Sequence, residues 1–265
     1  MTALRSARWL LRAMAERLAR GRPVIARPGM RVARFDGHAF ASEQDLECPP
    51  GIPNRDDMLS IAFKFVYSNR IAGDYFEFGS YTGRTFRMAY THSRRPYVRE
   101  TAEFEQPIHL WAFDSFEGLP EPSEVDRFPR WERGAMQTTL HEFHAALDAW
   151  GVARDAYTVI PGFYEDTLTP ELKTRMQGVR AAVAYIDCDF YSSTATVLRF
   201  LPPFLRAGSI LCFDDYYAYR GSVSHGAQRA IAEFLSEHTH LQLHPWYRFG
   251  WGGRSFIVRL DHEPD

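Results

Sequence analysis

Five short apolar runs alternate with helical patterns between residues 55 and 240, and this alternation limits the chain to few folds. The apolar runs occupy residues 75–78, 108–113, 157–160, 181–186 and 209–213. The helical patterns cover residues 56–70, 84–92, 139–150, 170–176, 193–200 and 228–237. Strands that are separated by helices pair in parallel, because the chain must cross back to the same end of the sheet. Two further runs, 241–247 and 255–260, alternate in polarity around a glycine-rich turn. The sequence therefore predicts an α/β fold, with a doubly wound, mostly parallel, seven-stranded Rossmann-like sheet and a terminal antiparallel hairpin.

Composition excludes several classes of protein. A formal net charge of -2 argues against a general polyanion binder, so we predict no nucleic-acid partner. No apolar run approaches the ~18 residues of a membrane span, so we predict no membrane association. The cysteine count is 3, an odd number in a long chain, which argues against a disulfide framework and favours the cytoplasm.

The N-terminal segment differs from the rest, and we predict a division into residues 1–54 and a main domain at 55–265. Residues 1–20 place leucines and a methionine near one helical face, among arginines. This pattern predicts an amphipathic helix that docks on its own domain or joins a homo-oligomer. A transit peptide or membrane-surface helix is the alternative, which Glu16 and the lack of a serine-rich stretch weaken. Residues 21–53 have no clear period and are interpreted as an arm or lid.

The stretch 74–85 predicts a buried strand, a glycine turn and a helix start, with an acid near the strand's end. A turn of this kind binds a nucleotide-like cofactor at the first βα connection of a doubly wound sheet. Gly79 allows a close backbone approach or a positive φ, and Gly83 allows the helix start to pack near the strand. The spacing Glu77-x-Gly79-x-x-x-Gly83 is not the G-x-G-x-x-G pattern of dinucleotide binders.

Four of the five predicted parallel strands end in an acid: Glu77, Asp114, Asp187 and Asp214. Acids are seldom fully buried, and ligands of such sheets bind at the carboxyl ends of the strands. Asp114 ends the second strand, where a carboxylate would accept hydrogen bonds from ribose hydroxyls. The alternative is that Asp114 caps the following turn together with Ser115.

Asp187 and the pair Asp214-Asp215 end two strands that we expect to be neighbours. Their carboxylates would then converge, and like charges tolerate this only with a proton, a cation or a ligand. An all-oxygen set suits Mg²⁺, whereas no cysteine and histidine set has the spacing of a structural zinc site. The alternative is that one aspartate caps a helix while the others are solvated.

A long charged connection at 121–134 follows the second strand and is a candidate substrate-covering flap, with Phe128 and Trp131 as its aromatic residues. His225 follows the acids of the fifth strand in a glycine- and serine-rich loop. We consider Asp187, Asp189 and, less favoured, His225 as candidates for a general base.

Five ordered blocks together resemble the macrocin O-methyltransferase family over roughly residues 55–240. The blocks are EFGSYTG at 77–83, FDSFEGLP at 113–120, GFYEDTL at 162–168, YIDCDFYSST at 185–194 and FDDY at 213–216. The resemblance implies a class I S-adenosylmethionine-dependent enzyme that methylates sugar hydroxyls on natural products with Mg²⁺. Its small-molecule substrate would be a sugar or a glycosylated natural product.

By position, the resemblance implies three groups of site residues. The implied cofactor contacts are Glu77, Gly79, Ser80, Tyr81, Thr82, Gly83, Asp114, Ser115, Gly162 and Phe163. The implied metal ligands are Asp187, Asp214 and Asp215. Candidates for adenine contact are Met136, Gln137 and Phe163. This chain has Thr82-Gly83 where the family commonly has a glycine pair. Two alternatives stay open: a catechol-like phenolic acceptor, and a non-catalytic cofactor-binding partner subunit.

Overall fold

A computed structural model of the protein describes residues 51–95, 107–128 and 131–261, together with the backbone of residues 34–35 and 38–39. The chain divides into two compact units, Met1–Pro50 and Gly51–Asp265. In the first unit, Arg34–Phe35 and His38–Ala39 pair as a short antiparallel ladder. The predicted helix over residues 1–20 lies outside the described residues, so that helix and the homo-oligomer it would form stay predictions.

The second unit contains a seven-stranded sheet. Its strands are β1 (Asp74–Phe78), β2 (Leu110–Asp114), β3 (Tyr157–Pro161), β4 (Ala181–Ile186), β5 (Ile210–Phe213), β6 (Leu241–Phe249) and β7 (Gly253–Leu260). Their order across the sheet is β3-β2-β1-β4-β5-β7-β6. The first five strands are parallel, and β7 pairs antiparallel with both β5 and β6. The predicted doubly wound sheet and terminal hairpin are thus confirmed, and the strand order reverses between β1 and β4, where ligands of such sheets bind.

Seven α-helices lie in the described part of the second unit. They are α1 (Arg55–Ser68), α2 (Arg84–Ser93), α3 (Leu140–Ala149), α4 (Tyr164–Thr167), α5 (Pro170–Arg175), α6 (Tyr191–Phe200) and α7 (Gly226–Glu237). The single-turn helix α4 was not predicted, whereas the other helices begin and end within about two residues of their predicted bounds. None of the helices in the described ranges is long and apolar enough to cross a membrane.

Side-chain caps fix the starts of α1 and α3. The Asn54 side chain accepts a hydrogen bond from the Asp57 amide at 2.8 Å, and Asp57 accepts one from the Asn54 amide at 3.2 Å. Thr139 and Glu142 form the same reciprocal pair at the start of α3. These capping boxes satisfy amide groups that a helix start otherwise leaves without partners. The first therefore sets where Arg55, the first residue of α1, enters the fold.

Aromatic side chains fill the core on both faces of the sheet. Phe76 and Phe78 of β1 pack on one face, and Tyr75 packs on the other. Phe78 stacks on Phe113 with ring centroids 4.5 Å apart. All six residues of β4 are buried, as expected for a central parallel strand that is covered on both sides. Many of the aromatic side chains therefore lie in the core, behind the site.

Candidate active site

The turn after β1 brings three strand ends into contact. Gly79 has a φ of 87°, and a Cβ atom at this position would lie 1.9 Å from the carbonyl oxygen of Asp187. The Gly79 amide donates to the Phe113 carbonyl oxygen at 2.9 Å, and the Asp187 amide donates to the Phe78 carbonyl oxygen at 2.8 Å. The close approach that requires glycine here is thus to the backbone after β4.

Gly83 has a structural role of a similar kind. It precedes α2 with a φ of 74°, and an added Cβ would lie 3.0 Å from Phe143 and 3.1 Å from Leu147 of α3. Packing of the helix start therefore favours glycine, although the neighbour is another helix and not the strand that the sequence suggested.

Asp114 holds the glycine turn through its carboxylate. Its Oδ2 atom accepts hydrogen bonds from the amides of Ser80 at 2.7 Å and Tyr81 at 2.8 Å. Its Oδ1 atom accepts one from the Phe116 amide at 2.7 Å, so the capping alternative that the sequence left open is present. A carboxylate offers about four lone-pair sites, which leaves one on Oδ1 for a ligand. Ribose binding by Asp114 stays a prediction that this geometry permits.

A cavity lies at the carboxyl ends of β1 to β4, where ligands of such sheets bind. Five of the predicted cofactor contacts line it: Gly79, Tyr81, Asp114, Ser115 and Phe163. Met136 lines it as well, among the apolar residues Leu119 and Pro120. The cavity also reaches Asp187 and Asp189, so it joins an apolar region to an acidic one.

The other predicted cofactor contacts lie outside the lining of this cavity. They are Glu77, Ser80, Thr82, Gly83 and Gly162, and the adenine candidate Gln137 joins them. The Gly162 amide donates to the Asp114 carbonyl oxygen at 2.9 Å. Ser80 and Gly162 thus support the lining residue Asp114, through its side chain and its backbone respectively.

Glu77 is fully buried on β1. The Tyr75 hydroxyl donates to its Oε2 atom. Its Oε1 atom has no hydrogen bond of normal geometry among the described residues. Burial raises the pKa of Glu77 to about 8, against the opposing effect of the Tyr75 and Ser80 hydroxyls. The carboxyl group is therefore mostly protonated at neutral pH, and the predicted contact with a cofactor stays a prediction.

Glu77→Gln should flatten part of the pH dependence of stability. The folded-state pKa of about 8 exceeds the ordinary value of 4.5, so ionisation penalises only the folded state. This contribution is fully present below about pH 4.5 and is lost as the pH rises toward 8. Glutamine mimics the protonated carboxyl, so the melting temperature of the variant should gain on that of the parent chain by about 3 °C or more between pH 5 and pH 8. A constant difference across that range would contradict the assignment.

Three carboxylates meet beyond β4 and β5. Asp187, Asp214 and Asp215 each place an oxygen atom within 4.8 Å of the others. Burial raises the pKa of Asp187 well above its ordinary value, and the charges of Asp214 and Asp215 raise it further. The structure therefore brings together the three residues that the strand order led us to expect.

Asp189 adds a fourth carboxyl group to this acidic cluster. Its backbone has a φ of 56°, an uncommon conformation for a residue with a side chain. Burial raises the pKa of both Asp189 and Asp215, whose carboxyl groups share a hydrogen bond. The cluster thus keeps close like charges by retaining protons.

Arg55 and Tyr185 are functional candidates that sequence reasoning missed. Arg55 Nε donates to Asp214 Oδ1 at 2.8 Å, and its Nη2 donates to Asp214 Oδ2. The Tyr185 hydroxyl donates to Asp214 Oδ1 at 2.5 Å. Tyr185 lies two residues before Asp187 on the same strand face, a signal that could have identified it. Arg55 lies 159 residues from its partner and carries no local signal.

His225 is exposed and lies against an aromatic side chain. Its ring stacks on Tyr219 with centroids 5.9 Å apart, and its Nδ1 atom is 3.0 Å from the Ser222 hydroxyl oxygen. His225 is not part of the cavity lining. Its role as a general base stays a prediction, and the structure brings Asp187 and Asp189 closer to the cavity.

The described parts of the predicted flap are anchored to the domain. Asp126 is fully buried, and its Oδ1 atom accepts a hydrogen bond from the Ser192 amide in the first turn of α6 at 3.3 Å. The Tyr219 hydroxyl donates to the Asp126 carbonyl oxygen at 3.0 Å. Trp131 packs with ring centroids 5.1 Å from Tyr219 and 4.9 Å from Phe128. The flap aromatics therefore form a packed aromatic cluster.

Comparisons with known proteins identify the family. Residues 53–242 match the family described as macrocin-O-methyltransferase (TylF). The 8-demethyl-8-(2,3-dimethoxy-alpha-L-rhamnosyl)-tetracenomycin-C 4'-O-methyltransferase of Streptomyces olivaceus is 31% identical over 170 residues, which cover 61% of this chain and 60% of that protein. Mycinamicin III 3''-O-methyltransferase of Micromonospora griseorubida is 28% identical over 120 residues, which cover 40% of this chain and 43% of that protein. The chain thus spans 60% and 43% of the lengths of these two curated relatives.

Solved structures share the fold. The O-methyltransferase NovP superposes with a TM-score of 0.60 at 19% identity, covering 77% of this chain and 78% of NovP. The calicheamicin methyltransferase CalS11 superposes with a TM-score of 0.60 at 22% identity, covering 76% of this chain and 77% of CalS11. The family match covers residues 53–242, which include five of the seven strands and the site residues described above. The chain therefore belongs to the macrocin O-methyltransferase family.

Proposed function

We propose that this protein is an S-adenosylmethionine-dependent and Mg²⁺-dependent O-methyltransferase that acts on a sugar hydroxyl of a natural product. The observation that carries the proposal is the cavity that joins the Gly79 turn to the acidic cluster. A cofactor site and a cation site next to each other suit transfer of a methyl group to a hydroxyl. The tetracenomycin relative is named for a rhamnosyl-bearing acceptor, which supports a sugar as the acceptor here.

The lining of the cavity suits the chemistry of the cofactor. Its apolar region, with Phe163, Met136 and Leu119, suits the flat adenine ring. Asp114 keeps one lone-pair site on Oδ1 for a ribose hydroxyl. When bound, S-adenosylmethionine supplies an activated methyl group on a positively charged sulfur. The nearby carboxylates Asp187 and Asp189 favour a positive charge at that end of the cavity.

The acidic cluster fits a hard divalent cation. Carboxylate oxygens are the ligands that Mg²⁺ prefers, and Asp187, Asp214 and Asp215 would hold it. Each of the three carboxylates has an oxygen atom within 4.8 Å of the others, and a bound cation would draw these oxygens closer together. When bound, Mg²⁺ supplies a Lewis acid beside the acceptor hydroxyl. Burial raises the pKa of Asp187, the charges of Asp214 and Asp215 raise it further, and a bound cation would oppose both effects.

The chain's own residues offer candidates for the proton acceptor, and the flap residues beside them are anchored. Burial raises the pKa of Asp189 well above its ordinary value, which suits a base that must take a proton near neutral pH. Asp187 lies in the same lining and is the second candidate. On the side of α6, the anchored flap residue Asp126 holds the aromatic cluster in place.

Asp114→Ala should weaken S-adenosylmethionine binding by about 1 to 3 kcal/mol, because both a ligand contact and the amide contacts that hold the turn are lost. Calorimetry with S-adenosylmethionine measures this. Asp74→Ala is the matched control, since Asp74 accepts hydrogen bonds from Trp111 and His109 at the opposite end of β1. The control should lose stability and keep cofactor affinity. Equal losses of affinity in both variants would contradict a role of Asp114 in the site.

The proposed function is tested by methyl transfer to a panel of acceptors, detected by mass spectrometry. The panel contains rhamnosylated polyketides, macrolide glycosides, free sugars and catechols, each with and without Mg²⁺. We expect a mass gain of one methyl group on the glycosides only, and only with the cation. Methylation of catechols alone would support the phenolic alternative. Cofactor binding without methylation of any acceptor class would support the non-catalytic alternative.

A further inference from the structure

A positively charged side chain, that of Arg55, contacts the acidic cluster. Arg55 binds Asp214 through two guanidinium nitrogens, with Nε donating to Oδ1 at 2.8 Å and Nη2 donating to Oδ2. Asp214 is buried, and the Arg55 side chain is only 16% exposed. A two-point pair of this kind is stronger and more specific than the contact of a lysine would be. The pair therefore fixes the Asp214 carboxylate in one orientation.

The contacts of Asp214 leave little room for a further ligand. Oδ1 accepts from Arg55 Nε and from the Tyr185 hydroxyl, and Oδ2 accepts from Arg55 Nη2. Of about four lone-pair sites on a carboxylate, these bonds leave one, on Oδ2. A cation would thus reach Asp214 through a single oxygen while the guanidinium stays in place.

The charge of Arg55 acts on the whole cluster. The Asp214 carboxylate that Arg55 contacts has an oxygen within 4.8 Å of oxygens of Asp187 and Asp215, so the guanidinium lies close to all three carboxyl groups. The backbone around Arg55 is held in place, since Asn54 caps α1 and the Pro53 carbonyl oxygen accepts a hydrogen bond from the Gly250 amide at 2.9 Å. The guanidinium is therefore a fixed positive charge beside the carboxylates.

We propose that Arg55 is a positioning residue and resident counter-ion, which orients Asp214 with one open oxygen site and opposes the entry of a divalent cation. This inference rests on the metal site of the proposed function. It means that the affinity of the site for a cation is set by the guanidinium as well as by the ligands. With Arg55 present, the folded domain tolerates its four close carboxyl groups before any cation binds.

The test is Mn²⁺ binding, measured by the electron paramagnetic resonance signal of free Mn²⁺ without cofactor or acceptor. Arg55→Met removes the charge at similar length, and we expect it to bind Mn²⁺ about tenfold or more tightly. The melting temperature of this variant without Mn²⁺ should fall, because Asp214 loses its positively charged partner. Arg55→Gln removes the charge but can still donate one hydrogen bond, so it serves if the methionine variant does not fold. Arg55→Lys keeps the charge and should bind Mn²⁺ nearly as the parent chain does.

Arg154→Met is the matched control, since Arg154 pairs with Asp148 on the surface at 2.6 Å. Its Mn²⁺ affinity should equal that of the parent chain. Unchanged or weaker Mn²⁺ binding by both neutral Arg55 variants would overturn the inference, as would absence of binding in every variant. A chain that binds Mn²⁺ in the expected order but methylates no acceptor would refute the proposed function alone.

Discussion

Gly79→Ala is expected to cost the protein both its stability and its cofactor binding. The new Cβ atom would lie 1.9 Å from the Asp187 carbonyl oxygen, and this oxygen belongs to the backbone directly after β4. Moving it would break the contact between β1 and β4 at the point where the strand order reverses. We expect a loss of roughly 3 to 5 kcal/mol in the free energy of unfolding, the range reserved for severe core defects. Chemical denaturation and S-adenosylmethionine calorimetry measure the two effects.

Gly178→Ala separates the steric clash from the backbone conformation. Gly178 has a φ of 88°, which matches the 87° of Gly79, but nothing lies within 4 Å of its hypothetical Cβ. The control should therefore show only the cost of the left-handed conformation, about 1 to 2 kcal/mol, with cofactor affinity unchanged. If Gly79→Ala were no worse than Gly178→Ala, the three strand ends would not be as tightly joined as described.

Asp215→Asn is expected to abolish methyl transfer without destabilising the protein. Asp215 lies in the acidic cluster, and burial together with the charges of Asp189 and Asp214 raises its pKa. Removal of one like charge relieves repulsion, so the melting temperature without metal should stay the same or rise. Loss of one proposed metal ligand should lower turnover by about 100-fold or more. Cofactor affinity should stay within about threefold, since Asp215 is not part of the cavity lining.

Asp214→Asn is a second test of the proposed metal site. It differs from Asp215→Asn because Asp214 also pairs with Arg55. It should abolish turnover as well, with cofactor affinity again within about threefold. Unlike Asp215→Asn, it removes the negative charge that the Arg55 guanidinium contacts, and loss of one member of a buried ion pair costs about 3 to 5 kcal/mol. Arg55 is partly exposed, so we expect the lower end of that range. Normal turnover in either variant would contradict the proposed role of a metal ion in methyl transfer.

Much of the fold was predictable because its signals are local. Each parallel strand is a short apolar run next to a helical pattern, and the hairpin alternates in polarity around its turn. The acids at the ends of four of the five parallel strands marked the edge where ligands of such sheets bind, because residues at strand ends lie together in any parallel sheet. Asp187, Asp214 and Asp215 could therefore be grouped from the sequence, and the structure places them within 4.8 Å.

The parts that escaped prediction depend on contacts between distant segments. Arg55 is the first residue of a helix, and nothing near it in the sequence points to Asp214. The role of Asp114 in holding the glycine turn needs the relative position of two strand ends. Phe128 and Trp131 suggested a flap over the substrate, but the pattern of a loop does not show that Tyr219 packs against it.

The most direct test of the central claim is calorimetric titration with S-adenosylmethionine and S-adenosylhomocysteine, with and without Mg²⁺, combined with turnover of a glycosylated acceptor under the same conditions. We predict that both compounds bind with and without the cation, since the Gly79 turn and Asp114 belong to the proposed cofactor site, and that turnover requires Mg²⁺. Binding of neither compound would contradict the account as a whole. Turnover that is equal with and without the cation would contradict the role given to the acidic cluster.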